Sequence, residues 1–182
     1  MRERILQAAY ELCTCQGVRA ASPQAVAARS GVAEEVIYQH FDSIEELISA
    51  VYERRERLWT FGLLEEQSRC RGSSAEEQLL ALFDVLDEWF ASSDFDACIF
   101  IDVLMEMSAD HPLGGSGVDH LRDMRDIVRA RAHRAGFADV DDFSRSWHIL
   151  MKGSVIAAAE GDRHAAHRAR KMAVALIAAH RS

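Results

Sequence analysis

The sequence predicts an all-α protein. Only two prolines, Pro23 and Pro112, occur in its 182 residues, and proline is the residue that a helix interior tolerates least. Alanine and leucine are abundant, and both favour helices. Apolar residues recur at the three- and four-residue spacing of amphipathic helices, and no segment alternates as a strand does. We therefore expect about nine helices and no sheet.

Three helices are expected in the first 40 residues. The first covers Arg2–Gln16. Ser22 followed by proline has the residue types of a helix cap and of a first helical position, which predicts a helix over Pro23–Arg29. Gly31 closes this helix in a tight turn, and another short helix follows over about Glu34–His40.

A long helix and several further helices are expected after residue 42. Ser43, with glutamate three residues later, is a capping box and starts a helix that runs towards Cys70. A turn-rich loop is expected at Asp110–Gly117. The remaining helices are expected over residues 75–92, 95–109, 118–134, 141–159 and 163–179.

Composition excludes several classes of protein. Hydrophobic residues make up 49% and charged residues 27% of the chain, an ordinary globular balance. No apolar run approaches the roughly 20 residues of a membrane helix, and the charged segment after Met1 is unlike a signal peptide. The four cysteines lack metal-binding or redox spacing. We expect a cytoplasmic protein without membrane association, metal or cofactor.

Two short helices around a glycine turn form a helix-turn-helix corner when the second helix is exposed. Here the corner is PQAVAARSGVAEEVIYQHF. Val32 and Ile37 have the spacing that anchors the second helix to a core, while Tyr38, Gln39 and His40 remain for the outside. Any small helical domain can contain such a corner, so by itself it fits either a DNA reader or a structural turn.

Residues Ile5–Val51 resemble the N-terminal domain of the TetR family of transcription regulators. The matching stretches are ILQAAYELCTCQGVRAAS, VAARSGVAEEVIYQHF and SIEELISAV. Two later stretches, FDACIFIDVLMEMSADHPL and GDRHAAHRARKMAVALI, resemble the family's regulatory body. The resemblance implies a DNA-binding domain over residues 1–48 and a ligand-binding and dimerisation domain over residues 49–182. It further implies a homodimeric, ligand-responsive repressor whose partner is double-stranded operator DNA.

The resemblance places the DNA contacts mainly on the second helix of the corner. Tyr38 and His40 stand where family members contact phosphates, and Val36 stands where a small side chain meets a base. Gln39 has the groups that read adenine, and Gln24 begins the preceding helix, whose N-terminus can face a phosphate. The expected DNA-binding residues are Gln24, Ala33, Glu34, Val36, Tyr38, Gln39 and His40.

Three departures from the family pattern weaken DNA binding. Glu34 and Glu35 open the second helix, where phosphate repels them, although glutamate can accept from cytosine. Ile44 replaces a frequent phosphate-binding lysine, and no basic arm precedes Ile5. Residues 1–50 contain four arginines, no lysine and seven acidic residues, within a chain of net charge −8. The alternative is a TetR-like ligand-binding or interaction protein with a weakened DNA-reading surface. A positive stripe from Arg2, Arg4, Arg19 and Arg29 would restore DNA binding.

Aromatic residues and methionines concentrate between residues 58 and 151. They fit either an ordinary core or the ligand cavity that the resemblance implies, and such cavities are mostly apolar. Asp102 and Glu106 share a face of an otherwise apolar helix, and if buried they need partners, either basic residues or a cationic or hydrogen-bonding ligand. The expected ligand-binding residues, for a small apolar effector, are Phe61, Phe83, Phe100, Asp102, Glu106, Trp147 and Met151.

The last two helices carry small residues that permit close packing of a partner helix. In the resembling family they form a four-helix interface; the alternative is packing within one chain. His164 and His167 share a helix face, but their charged surroundings argue against a metal. No catalytic arrangement of side chains is present, so we expect no enzyme. The expected dimer-interface residues are Gly153, Ala157, Met172 and Leu176.

Overall fold

The computed structural model describes residues 1–93, 95 and 112–181. Every secondary-structure element of this part of the chain is helical, which confirms the all-α prediction. The chain divides into two compact units, one built mainly from Met1–Glu56 and the other mainly from residues 57–93 and 121–181. Among the described residues, no helix has the length and apolar character needed to cross a membrane.

The first unit is organised around its first helix. The helices are α1 (Arg2–Gln16), α2 (Pro23–Ser30), α3 (Glu34–Tyr38) and α4 (Ile44–Arg55), with a 3₁₀ turn at Val18–Ala20. α1 packs against α2 and α4. The buried apolar side chains include Ile5, Leu6, Ala9, Leu12, Val26, Ile37, Phe41, Leu47, Ile48 and Val51. Along α1 and α4 these residues have the three- and four-residue spacing that predicted the two helices.

Side-chain caps fix where these helices begin. Ser22 Oγ accepts a hydrogen bond from the N–H of Ala25 at 3.2 Å, and proline takes the first helical position of α2. At the start of α4, Ser43 Oγ accepts from the N–H of Glu46 at 3.1 Å. The Glu46 carboxylate in turn accepts from the N–H of Asp42. Both serines thus satisfy a backbone donor that the helix itself leaves unpaired.

The second unit contains α5 (Glu66–Arg71), α6 (Ala75–Phe90), α8 (Val140–Ala159), α9 (Ala165–His180) and the part of α7 (Pro112–Arg134) from residue 121 onward. A π-helical segment, Glu56–Glu65, follows α4 and leads into α5. α9 packs against α8 and α6, and α5 packs against α6.

The turn-rich loop expected at Asp110–Gly117 is wrong from residue 112 onward, because α7 begins at Pro112. Proline has no N–H to offer, but the first position of a helix does not need one. Each glycine in the first turns costs about 1 kcal/mol relative to alanine without forbidding the helix. Local propensity therefore predicted a loop where the structure has the first turns of a helix.

A buried arginine joins three helices of the second unit. Arg131 lies on α7 and is buried. Its guanidinium donates to Ser68 Oγ at 2.8 Å on α5, to the carbonyl oxygen of Gln78 at 2.8 Å on α6, and to that of Glu65 at 3.0 Å. Burial lowers the pKa of Arg131 to about 10, so the group remains charged near neutral pH. The sequence gives one signal for this role, an arginine between the apolar positions Val128 and Ala132.

Candidate nucleic-acid interface and regulatory body

α2 and α3 form a corner around Gly31. This glycine has φ 63°, a left-handed conformation that costs glycine little and other residues more. Its N–H donates to the carbonyl oxygen of Ala27 at 2.9 Å, which ends α2. From α1, Arg4 donates through Nε to the carbonyl oxygen of Ser30 at 2.9 Å and through Nη2 to that of Gly31 at 3.1 Å. The turn is thus held both by its own backbone and by a charged side chain.

The outer side of α3 carries the residues expected to contact DNA. Ile37 and the preceding Val32 are buried and anchor the helix. Tyr38 is 48% exposed, and Gln39 and His40 are exposed as well. The structure therefore brings these three polar residues to one accessible end of α3.

Of the remaining expected contact residues, three lie at or near the start of α3 and one, Gln24, lies on α2. Ala33 is exposed, and Val36 is half-buried. Gln24 on α2 donates through Nε2 to Glu34 Oε2 at 2.8 Å. This bond ties the starts of the two helices together and engages one oxygen of the Glu34 carboxylate. Gln24 and Glu34 were both expected to contact DNA, and the bond between them is a feature of the fold that the sequence does not predict.

Arg2, Arg4 and Arg29, which were expected to contribute to a positive stripe, contact groups within the first unit. Arg29 forms an ion pair with Glu11 at 2.7 Å. Arg4 caps α2, as described above, and the Arg2 guanidinium lies over the Phe41 ring at 4.9 Å from its centroid. Ile44, at the first position of α4, is half-buried and brings no charge. These three arginines are consequently less available to a phosphate backbone than a stripe of free cations would be.

In the second unit, the expected ligand-binding residues fall into separate surroundings. Phe83, Trp147 and Met151 are buried, and the Phe83 and Trp147 ring centroids lie 5.3 Å apart. Phe61, on the π-helical segment, is 43% exposed and lies outside this buried group. Phe100, Asp102 and Glu106 lie outside the described residues.

Two polar atoms in or beside the buried aromatic group have no hydrogen-bond partner among the described residues. They are Trp147 Nε1 and His148 Nδ1, on consecutive residues of α8. Burial, reinforced by the positive charges of Lys152 and Arg125, lowers the pKa of His148 to about 4. The imidazole is therefore neutral at pH 7. Within the part of the chain that the structure describes, no group of three or more His, Cys, Asp or Glu residues is arranged to hold a metal ion.

A groove of about 320 Å³ runs between α8 and α9. Three of the four residues expected at the dimer interface, Gly153, Ala157 and Met172, line it, and Leu176 is half-buried farther along α9. Ile149, at one edge, is 66% exposed, and Met172 is 59% exposed. The groove is thus apolar and open, with large hydrophobic side chains at its margin.

The corner and the helical body define a helix-turn-helix protein. Residues 5–51 match the family model of the bacterial regulatory proteins of the tetR family, which confirms the resemblance. This segment belongs to the tetR family, and the described helices that follow have the fold of its solved members. Among the curated proteins compared with the chain, none is similar to it in sequence.

Solved structures share the fold across nearly the whole chain. A TetR-family transcriptional regulator from Streptomyces coelicolor superposes with a TM-score of 0.85 at 20% identity, covering 96% of this chain and 93% of its own. A tetR-type transcriptional regulator from Streptomyces avermitilis has a TM-score of 0.78 at 27% identity, covering 90% and 88%. A transcriptional regulator from Saccharomonospora viridis, solved with choline, has a TM-score of 0.75 at 18% identity, covering 97% and 94%.

Proposed function

We propose that the protein is a cytoplasmic, non-enzymatic transcription repressor that binds double-stranded operator DNA as a homodimer and releases it when a small effector binds. The observation that carries this proposal is the α2–α3 corner, with Ile37 buried and the polar residues Tyr38, Gln39 and His40 exposed. A recognition helix needs this division, because one face must be held by the core while the other enters the major groove.

Dimerisation is supported by the groove between α8 and α9. Exposed Ile149 and Met172 border a surface with Gly153 and Ala157 at its base. Small residues let a partner helix approach closely, and the large apolar side chains at the margin gain burial when it does. A twofold dimer buries the same patch on both subunits and places two copies of α3 on one operator.

The C-terminal part of the chain would bind the effector and transmit the response. In our proposal, residues 1–48 read DNA and residues 49–182 bind the effector and the second subunit. An effector that binds one conformation of the dimer better than another shifts the population between them. Two recognition helices read adjacent major grooves only when they are about 34–36 Å apart. Release of the operator DNA therefore requires only a change in the distance between the two recognition helices.

A second candidate is a TetR-like binding protein whose DNA surface is weak. The structure favours it in one respect, since Arg4 and Arg29 are engaged within the unit and Glu34 and Glu35 begin α3. Phosphate neutralisation supplies much of the affinity of DNA-binding proteins. A surface with so few free cations leaves specificity to direct base contacts.

The two candidates are separated by a salt titration on an operator obtained by binding-site selection. For wild type we expect a log–log slope on the order of −2 to −4, shallow beside the roughly −10 of a strong binder. Ile44→Lys adds one cation per subunit, so it should strengthen binding to all sequences and steepen the slope by about two per dimer. Ile44→Gln, polar but uncharged, is the matched control and should leave the slope unchanged.

Two other outcomes of the salt titration would contradict part of the proposal. A steep slope in wild type shows that other cations meet the phosphates, which contradicts the weak-contact interpretation but not DNA binding. If neither wild type nor Ile44→Lys selects any sequence, the DNA-regulator proposal fails and the binding-protein candidate replaces it.

A further inference from the structure

A side-chain pair joins the two helices of the corner on their accessible side. Gln24 is the second residue of α2, and Glu34 is the first residue of α3. Gln24 Nε2 donates to Glu34 Oε2 at 2.8 Å, and a hydrogen bond to a carboxylate is stronger than one between neutral groups. Gln24 is exposed and Glu34 is half-buried. The glutamate side chain is therefore held in one direction at the protein surface.

Glu34 shares a face of α3 with a residue expected to contact DNA. It lies four residues before Tyr38, and residues at this spacing are neighbours on a helix surface. Tyr38 is exposed, whereas Ile37, which anchors the helix, is buried. The first residues of a recognition helix are the ones that reach base edges in the major groove. The fixed carboxylate thus lies where a base edge would be.

The pair retains hydrogen-bonding capacity on both sides. An ionised carboxylate only accepts hydrogen bonds, and its two oxygens have about four acceptor sites, of which Gln24 uses one. The glutamine amide has two N–H groups, and Glu34 engages one of them. The second N–H suits a phosphate oxygen, as glutamine side chains commonly contact the DNA backbone. Gln24 would then face the backbone while it directs the Glu34 carboxylate towards the bases.

The acceptor-only character of the carboxylate limits which bases it can read. In the major groove, guanine presents only acceptors, and thymine presents an acceptor and a methyl group. Both repel a carboxylate or leave it unpaired. Adenine and cytosine each present an amino donor, but adenine places its N7 acceptor beside that donor. Cytosine has no such acceptor, so it is the base that suits Glu34 best.

We propose that Glu34 is a specificity-determining residue that accepts a hydrogen bond from the 4-amino group of cytosine, and that Gln24 is the residue that positions it. The inference rests on the proposed function, because it names the base that the corner reads. It also gives the negative charge at the start of α3 a role, since phosphates repel a carboxylate wherever it lies, whereas a cytosine amino group binds it.

The test is binding-site selection with the full-length protein, followed by competition between operators that differ at one position of each half-site. For wild type we expect one cytosine at equivalent positions of the two half-sites, preferred about tenfold per half-site over other bases. Glu34→Gln should change these two positions from cytosine to adenine, because an amide matches the N6 and N7 atoms of adenine. Glu35→Gln is the matched control. It removes the same charge from the next, exposed residue and should keep the cytosines.

Two further measurements address the positioning role and the reading of the amino group. Gln24→Met keeps the length of the side chain without its amide, and it should reduce the cytosine preference about fivefold per half-site. A merely structural role for Gln24 would change stability and leave this preference as in wild type. Replacing the two cytosines by pyrimidin-2-one, which lacks the 4-amino group, should weaken wild-type binding about tenfold per half-site. This last measurement needs no variant to fold.

The inference is overturned if Glu34→Gln keeps the cytosines, if Glu35→Gln loses them equally, or if pyrimidin-2-one binds as well as cytosine. In each of these cases the protein still selects DNA, so the DNA-regulator proposal stands. An unchanged cytosine preference in Gln24→Met overturns the positioning role of that residue. Failure of wild type and of Ile44→Lys to select any sequence defeats both proposals.

Discussion

At the scale of single residues, the second unit depends on polar groups that are buried among apolar ones. Arg131 satisfies a hydroxyl and two carbonyl oxygens at once, while a ring nitrogen of His148 has no hydrogen-bond partner among the described residues. The first arrangement stabilises the fold, since each bond to a charged donor contributes more than a neutral one. The second costs stability, because a buried polar group without a partner has lost its hydrogen bonds to water.

Replacing Arg131 tests the first arrangement. Arg131→Met keeps much of the side-chain volume but removes every donor, leaving the carbonyl oxygens of Gln78 and Glu65 to lose a buried partner. We expect the free energy of unfolding to fall by about 3 kcal/mol in urea denaturation. Arg134→Met is the control, because that exposed arginine makes a single bond to Gln78 Oε1 at 3.1 Å; a loss of equal size there would contradict a special role for Arg131.

His148 makes the stability of the protein depend on pH. The folded state keeps the imidazole neutral down to a pKa of about 4, against 6.5 for the unperturbed group. Between these values the unfolded state binds more protons, so stability falls as the pH falls. We expect a loss of about 2 kcal/mol between pH 7.5 and pH 5. In His148→Gln this loss should largely vanish in urea denaturation, whereas His167→Gln, which changes an exposed histidine on α9, should behave as wild type.

At the scale of elements, the α2–α3 corner depends on one backbone conformation. Gly31 has φ +63°, and a Cβ atom added there would lie 3.1 Å from Arg4 Nη2. Gly31→Ala should therefore reduce the free energy of unfolding by about 1–2 kcal/mol and also weaken operator binding, because α3 loses its fixed direction. Gly136→Ala is the control: Gly136 also has a positive φ, but a Cβ there meets nothing within 4 Å.

The control separates strain from function. Both alanine variants should lose stability in urea denaturation, and only Gly31→Ala should lose operator affinity at a pH and temperature where both remain folded. Equal operator affinity in the two variants would show that the orientation of α3 does not depend on this turn.

Helix ends illustrate which elements local sequence determines. Ser22 and Gly31 set the two ends of α2, and each acts on backbone groups only a few residues away. The predicted limits of this helix nearly match the observed Pro23–Ser30. The start of α6 also has a local signal, a complete capping box of Ser74 and Glu77, and the helix predicted over residues 75–92 begins at the observed Ala75. At Pro112 a loop was predicted where the structure has a helix, because proline is compatible with both a turn and a first helical position.

At the scale of the whole molecule, the open apolar groove between α8 and α9 predicts the oligomeric state. Ala157→Arg places a charged side chain where the partner's small residues would pack, and burying an unpaired charge is strongly unfavourable. We expect wild type to sediment as a dimer and this variant as a monomer in analytical ultracentrifugation. Ala130→Arg, at an exposed position on α7, should remain dimeric; a dimeric Ala157→Arg would reject this interface.

The sequence by itself determined the helical class, the corner around Gly31 and the family to which residues 5–51 belong. These features depend on interactions within a few residues or on motifs that are contiguous along the chain. Only the tertiary structure decided that Gln24 bonds Glu34 and that Arg131 joins three helices. Such contacts join residues that are far apart in the chain, so they depend on how helices pack and in what register, which hydrophobic periodicity does not specify.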